Sequence, residues 1–221
     1  MSYTLVLNSN NVIGANNNTY QYKFIQGGLN IKEDYEMAIG SLTIPYSWFN
    51  VTNLYQNNSF TITFPYSTTS YVMNITLPDG FYTVSDIQNY IELQCINQGL
   101  FLINNGENVY CFDLSYNQTY YACQVVMELI PSTLPDGFSY APYGYWSSAG
   151  GLPSAPSTCT FDTGTIGTII GAPNNTTVGP AFSSNISFLS TTTPQGSVVN
   201  SLILRCDLIS NYVTSVVLKT F

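Results

Sequence analysis

Histidine is absent from this 221-residue chain, and lysine and arginine together number only four. Without imidazole no Ser/His or Cys/His nucleophile pair can form, and the usual histidine-containing zinc sets are ruled out. The cysteines, Cys95, Cys111, Cys123, Cys159 and Cys206, include no C-x-x-C spacing, so nothing points to a metal or redox motif. They are expected to be buried, reduced thiols with no disulfide among them. No Lys or Arg lies between Lys32 and Arg205, which leaves nothing to neutralise phosphates and excludes a basic nucleic-acid clamp. No apolar run approaches the ~20 residues of a membrane span. Met1 to Asn8 show neither a basic start nor an apolar stretch of signal-peptide length, so synthesis in a cytosol-like compartment is expected. No cofactor and no metal is expected, and the chain is not expected to be an enzyme.

What is present is apolar and aromatic. Hydrophobic residues make up 45% of the chain, with 18 Tyr and 12 Phe, which excludes a disordered chain. Charged residues are only 7%, against roughly 25% in an ordinary soluble domain. Ser, Thr, Asn and Gln take their place as the polar surface. A compact monomer of this mass exposes roughly 10,000 Å², so the charges are spread at about one per 600 Å². A surface so poor in charge invites association. The N-x-S/T sequons begin at Asn17, Asn50, Asn57, Asn74, Asn117, Asn174, Asn175 and Asn185. In a chain this rich in Ser and Thr they do not by themselves indicate glycosylation.

Period-two alternation predicts short strands near 3–7, 20–25, 36–44, 60–64, 71–77, 108–114, 121–130, 186–190, 199–208 and 214–220. Phe60-Thr61-Ile62-Thr63-Phe64 is the cleanest of them. One stretch has helical spacing. Ile87, Ile91 and Cys95 recur at i, i+4 and i+8, Ser85 and Gln88 make a capping-box pattern, and Gly99 supplies a stop, so a helix is expected at 85–97. Residues 131–183 hold seven prolines, which remove ladder donors. That region is expected to be long loop lying over the sheets or between subunits, with one strand near Ile166–Ile170. The strand-rich sequence resumes after it, so the chain reads as one domain, 1–221. Many short antiparallel strands, one helix and long Pro/Gly-rich loops define an all-β sandwich or jelly roll.

Two motifs have an innocent explanation. Asp162-Thr163-Gly164 matches one half of an aspartic-protease signature, but that chemistry needs two Asp carboxylates sharing a proton, and no second Asp-Thr-Gly occurs. The triplet reads as a turn. Gly164, Gly167 and Gly171 lack the Gly-Lys-Ser/Thr of a phosphate cradle. The aromatic segments are more informative. Trp48 and Phe49 follow Pro45-Tyr46-Ser47, while Tyr143, Tyr145 and Trp146 sit in the Pro/Gly region. All five are interface candidates, because aromatics anchor desolvated contacts. Trp146→Ala is expected to weaken assembly if that residue faces a neighbour.

Three stretches resemble elements of one family. Ile39-Gly40-Ser41-Leu42-Thr43-Ile44-Pro45-Tyr46-Ser47-Trp48-Phe49-Asn50-Val51 resembles an N-terminal motif of minor capsid proteins from virophages, Polinton-like viruses and large eukaryotic DNA viruses. Ile75 to Ile87, with Pro78-Asp79-Gly80-Phe81-Tyr82-Thr83, is similar to the family's Pro-x-Gly-x-Tyr-Thr element, which leads into a helix. Ser201 to Asn211 is similar to its closing strand. The three occur in the family's order, and virophage pentons of the Sputnik type are the nearest likeness. The resemblance implies a single jelly roll of two facing four-stranded antiparallel sheets. It further implies homopentamers that close icosahedral five-fold vertices against major capsid capsomers, within a virion built in the host cytoplasm or a viral factory. Residues 131–183 do not follow the family pattern. A receptor- or glycan-binding jelly roll, such as a fibre head or lectin, is the competing expectation, with loop aromatics stacking on sugars.

Overall fold

Most of the alternating stretches become strand where the structure describes them, though Val6 and Leu7 do not. The computed structural model describes residues 6–7, 9–13, 19–21, 48–194, 201–204 and 216–219. Its contacts divide the chain into two units, 1–45 and 46–221. In the first unit a 3-10 turn, Ser9–Asn11, leads into a short antiparallel pair, β1 (Val12–Ile13) and β2 (Thr19–Tyr20), with Val12 opposite Tyr20. The expected strand at 36–44, most of 3–7 and most of 20–25 lie outside the described residues.

In the second unit β3 (Ser59–Tyr66) and β4 (Thr69–Thr76) form an eight-residue hairpin. Phe60, Ile62 and Phe64 face inward opposite Ile75, Met73 and Tyr71, while Thr61 and Thr63 face out. This is the pattern expected of a half-buried antiparallel pair. α1 (Val84–Gln98) follows, then β5 (Leu102–Asn104), β6 (Glu107–Val109), β7 (Phe112–Asn117), β8 (Ala122–Met127) and β9 (Phe138–Tyr140). The chain continues with β10 (Thr160–Asp162), α2 (Gly167–Ile170), β11 (Thr177–Val178), β12 (Ile186–Leu189), β13 (Ser201–Leu204) and β14 (Val216–Lys219). Sheet orders are β11-β10-β3-β4, β12-β8-β7, β6-β5-β9 and β13-β14, all antiparallel.

The four-stranded sheet and the β12-β8-β7 sheet share one core. Phe60, Ile62 and Phe161 of the first belong to the same buried cluster as Phe112, Leu114, Cys123, Val125 and Met127 of the second. Phe112 and Phe161 meet with ring centroids 5.4 Å apart, and Phe60 meets Phe161 edge-on at 6.1 Å. Among the described residues the fold is therefore all-β, of antiparallel sheets with two α-helices.

Four expectations need correction. The strand at 108–114 is two strands, because the chain leaves one sheet at Val109 and enters another at Phe112. The strand near 166–170 is the short helix α2. Ile166, Ile169 and Ile170 are all buried, and spacings of three and four place them on one helical face. The N-cap of α1 is Thr83, two residues before the expected Ser85. Its hydroxyl accepts from Asp86 N–H at 3.2 Å, and the Asp86 carboxylate accepts from Thr83 N–H at 2.8 Å. Gly99 does end the helix, as expected.

Gln88, assigned to the cap by sequence, does something else. It is buried, and its side-chain oxygen accepts from Leu114 N–H at 2.9 Å while its amide nitrogen donates to Phe112 C=O at 3.4 Å. It thus imitates a neighbouring strand along the side of β7 that β8 does not occupy, and satisfies two backbone groups there.

The fourth correction concerns residues 131–183, expected to lie over the core rather than in it. Trp146, Cys159, Phe161, Ile166 and Ile170 are core residues. Trp146 is 0% exposed, its indole N–H donates to Pro65 C=O at 3.0 Å, and its ring meets Phe64 edge-on at 5.9 Å. Backbone contact with the end of α1 turns it inward. Tyr145 N–H donates to Gln98 C=O at 3.0 Å and Trp146 N–H to Gly99 C=O at 2.8 Å. Gly99 and Gly144 make this approach feasible. Both have positive φ, and a Cβ on either would collide with the backbone of the other segment.

Candidate interface

The five aromatic candidates do not form one patch. Trp146 is in the core. Tyr145 is half-buried, stacked on Tyr71 at 4.3 Å and tilted against Tyr66 at 4.7 Å. Tyr143 is exposed and meets Phe101 edge-on at 6.4 Å. These three sit at the turn end of the β3–β4 hairpin. Trp48 is half-buried and Phe49 is 49% exposed, and they precede the segment that packs at the open end. The eight residues of β3 separate the two ends by roughly 25 Å, at about 3.3 Å per residue.

The open end is built from amides. Val51 and Gly80 exchange backbone hydrogen bonds at 3.1 and 3.0 Å, which lays segment 49–53 beside 79–82. Asn50, 1% exposed, donates to Tyr82 C=O at 2.7 Å and accepts from Tyr82 N–H at 2.8 Å. Asn57 donates to Asn50 C=O at 2.8 Å and accepts from Thr52 N–H at 2.9 Å. The Asp79 carboxylate receives Asn53 N–H at 2.7 Å and the Thr52 hydroxyl at 3.0 Å. A third loop joins through Thr165, whose N–H donates to Ser59 C=O at 2.8 Å. The sequon asparagines Asn50 and Asn57 are thus buried and fully engaged, and neither side chain is available for glycosylation.

This frame holds apolar side chains out of the body. The 3-10 turn Asn53–Tyr55 ends at Gln56 in the left-handed region and presents Leu54, 81% exposed, and Tyr55, 54% exposed. Phe49 and Phe81 are also exposed. Sequence reasoning found Phe49 but missed Leu54, Tyr55 and Phe81. The available signal was the run Thr52-Asn53 and Gln56-Asn57-Asn58 around Leu54-Tyr55. Residues that bond to local backbone make loops that hold one conformation.

Every charged residue from 48 to 194 is acidic. Hydrogen bonds from the Thr83 side chain and backbone lower the pKa of Asp86. Desolvation, then Tyr90, Asp86 and Asp79, raise that of Tyr82. Burial pushes the thiols of Cys95, Cys111 and Cys123 up to about 12 and raises Cys159 as well. These four cysteines are free and buried, and Cys206 lies outside the described residues. Asp162-Thr163-Gly164 is a turn. The Asp162 carboxylate accepts from Gly164 N–H at 2.9 Å, and the Thr163 hydroxyl donates to Pro173 C=O at 2.8 Å. Among the described residues, no group of three or more His, Cys, Asp or Glu converges to hold a metal. None of the helices described is long and apolar enough to cross a membrane.

Comparison with family models, with curated proteins and with solved structures finds no match to this chain.

Proposed function

We propose that this chain is a structural virion protein, a minor capsid subunit of the penton type. In this reading its body is a single jelly roll, five copies close a capsid vertex, and end loops contact neighbouring major capsid capsomers. The observation that carries the reading is the amide-pinned loop end. Val51, the last residue of one capsid-like segment, pairs there with Gly80 of another, and Phe49 and Phe81 of these segments and the adjoining turn residues Leu54 and Tyr55 are exposed. Pre-ordered loops lose little entropy on association, which suits a part whose work is shape and contact. A five-fold ring closes through head-to-tail interfaces and so needs two different patches on each subunit. In this reading the Leu54–Tyr55 end faces the neighbouring capsomers, and the ring contacts fall to other faces of the body. Native mass spectrometry of the purified chain, and imaging of particles that contain it, test the proposal. Pentamers at vertices are expected. Trimers on capsid faces, or a monomer that binds a defined glycan, would overturn it.

A further inference from the structure

We infer that the Leu54–Tyr55–Phe49 loop end seats a cationic surface of a different protein, and not a second copy of this chain. The inference rests on the capsid reading and names the chemistry of one contact within it. Leu54 and Tyr55 stand on a turn whose backbone is held by Asp79 and Thr52, so their exposure is a built feature of the loop. Exposed apolar side chains held on a pinned turn mark a contact site.

Charge selects the occupant. Asp79 is bonded to Asn53, next to Leu54, and Asp86 stands in the first turn of α1, where both acids act on Tyr82. Each Asp79 oxygen accepts one hydrogen bond, while a carboxylate offers about four lone-pair sites, so both oxygens keep capacity for an Arg or Lys. Asp86 is held ionised by its bonds to Thr83. The Tyr55 ring offers a face to a guanidinium, and Leu54 needs an apolar hollow to cover it. A second copy answers this poorly. Its 48–194 body carries carboxylates and no cation, and its four basic residues, Lys23, Lys32, Arg205 and Lys219, are accompanied by Glu33, Asp34, Glu36 and Asp207. Like charges across an interface select against a partner. The surface that fits has Lys or Arg around an apolar dimple.

The test uses the full chain and two fluorescent peptides of equal length, one alternating Arg and Leu, the other Glu and Leu. Binding is read by anisotropy at low and high salt, and self-association by sedimentation. The variants are Leu54→Ser/Tyr55→Ser and, as a control, Phe182→Ser, an exposed residue next to Ala181, which pairs with Thr158 on the turn side of the Thr160–Thr63 pair. The Arg-Leu peptide is expected to bind wild type and Phe182→Ser alike. The double variant should bind it about tenfold more weakly or worse, and salt should weaken the wild-type complex. Self-association of the double variant should match wild type. Equal peptide binding by wild type and the double variant overturns the inference. So does loss of self-association in the double variant, since a second copy then covers this end while the capsid reading stands. A wild type that stays monomeric, yet loses the peptide in the double variant, supports the cationic seat and counts against the capsid reading instead.

Discussion

Trp146→Ala separates a core role from an interface role. The indole is fully buried. Trp buries on the order of 200 Å², and at about 25 cal/mol per Å² its removal forfeits about 5 kcal/mol. Large-to-small core substitutions of this type cost about 3–5 kcal/mol, because the site relaxes partly into the cavity. The edge-on contact with Phe64 and the bond to Pro65 C=O are lost together with the ring. An expected destabilisation of about 4 kcal/mol is a large part of the 5–15 kcal/mol that holds a typical domain. Trp146→Phe keeps most of the apolar volume but leaves Pro65 C=O without its donor, so about 1–2 kcal/mol is expected. Urea denaturation followed by circular dichroism at several protein concentrations measures both. If the residue belongs to the core, the loss is the same at every concentration, since mass action does not enter. A Trp146→Ala protein within about 1 kcal/mol of wild type, with assembly weakened instead, would refute the reasoning and return the residue to the interface.

Two further outcomes are expected. Asn50→Ala removes both bonds to Tyr82 and should cost about 1–2 kcal/mol, as two half-buried backbone groups lose their partner. Hydrogen exchange at Tyr82 should quicken, and an unchanged rate there would mean that the amide does not hold the loop. Stability should also fall as pH rises from 9.0 towards about 12, because burial raises the thiols of Cys95, Cys111 and Cys123 across that window. The sign follows from proton uptake. Above the unfolded pKa the folded state holds protons that the unfolded state has released, so stability is full below the window and lost through it. Urea midpoints that stay flat across that range, or rapid modification of these three cysteines in the native protein, would contradict their burial.

Local pattern carried the strands of the main hairpin and the helix. Phe60, Ile62 and Phe64 declare one face, and Ile87, Ile91 and Cys95 another, within a few residues of sequence. What stayed hidden depends on distant partners. Tyr110, Phe112 and Leu114 keep the same parity across the break between β6 and β7, and parity reports which face a residue takes but not which sheet. Ile166, Ile169 and Ile170 occupy too short a stretch for periodicity to choose between strand and helix. The Pro/Gly composition of 131–183 correctly signalled broken ladders but said nothing of direction. Trp146 turns inward because Gly99 and Gly144, 45 residues apart, let two backbones touch. The loop end was half legible. Phe49 lies in a recognisable motif, whereas Leu54 and Tyr55 stand on a turn that Asp79 pins through Asn53 N–H, 26 positions away.

The shortage of charge has a structural counterpart at that loop end. Residues 48–194 contain no Lys or Arg, so no side-chain ion pair can form within that stretch. The tasks ion pairs might serve fall to Asn50, Thr52, Asn57, Gln88 and Thr165, whose groups do not titrate near neutral pH. Exposed ion pairs weaken in salt and contribute little even without it, whereas buried amide bonds are indifferent to ionic strength. The shape of the body should therefore persist across ionic conditions. Its association is a separate matter, because the remaining carboxylates act between molecules. Screening them favours contact between copies and weakens contact with a basic partner, so added salt should move the two associations in opposite directions while the fold itself stays unchanged.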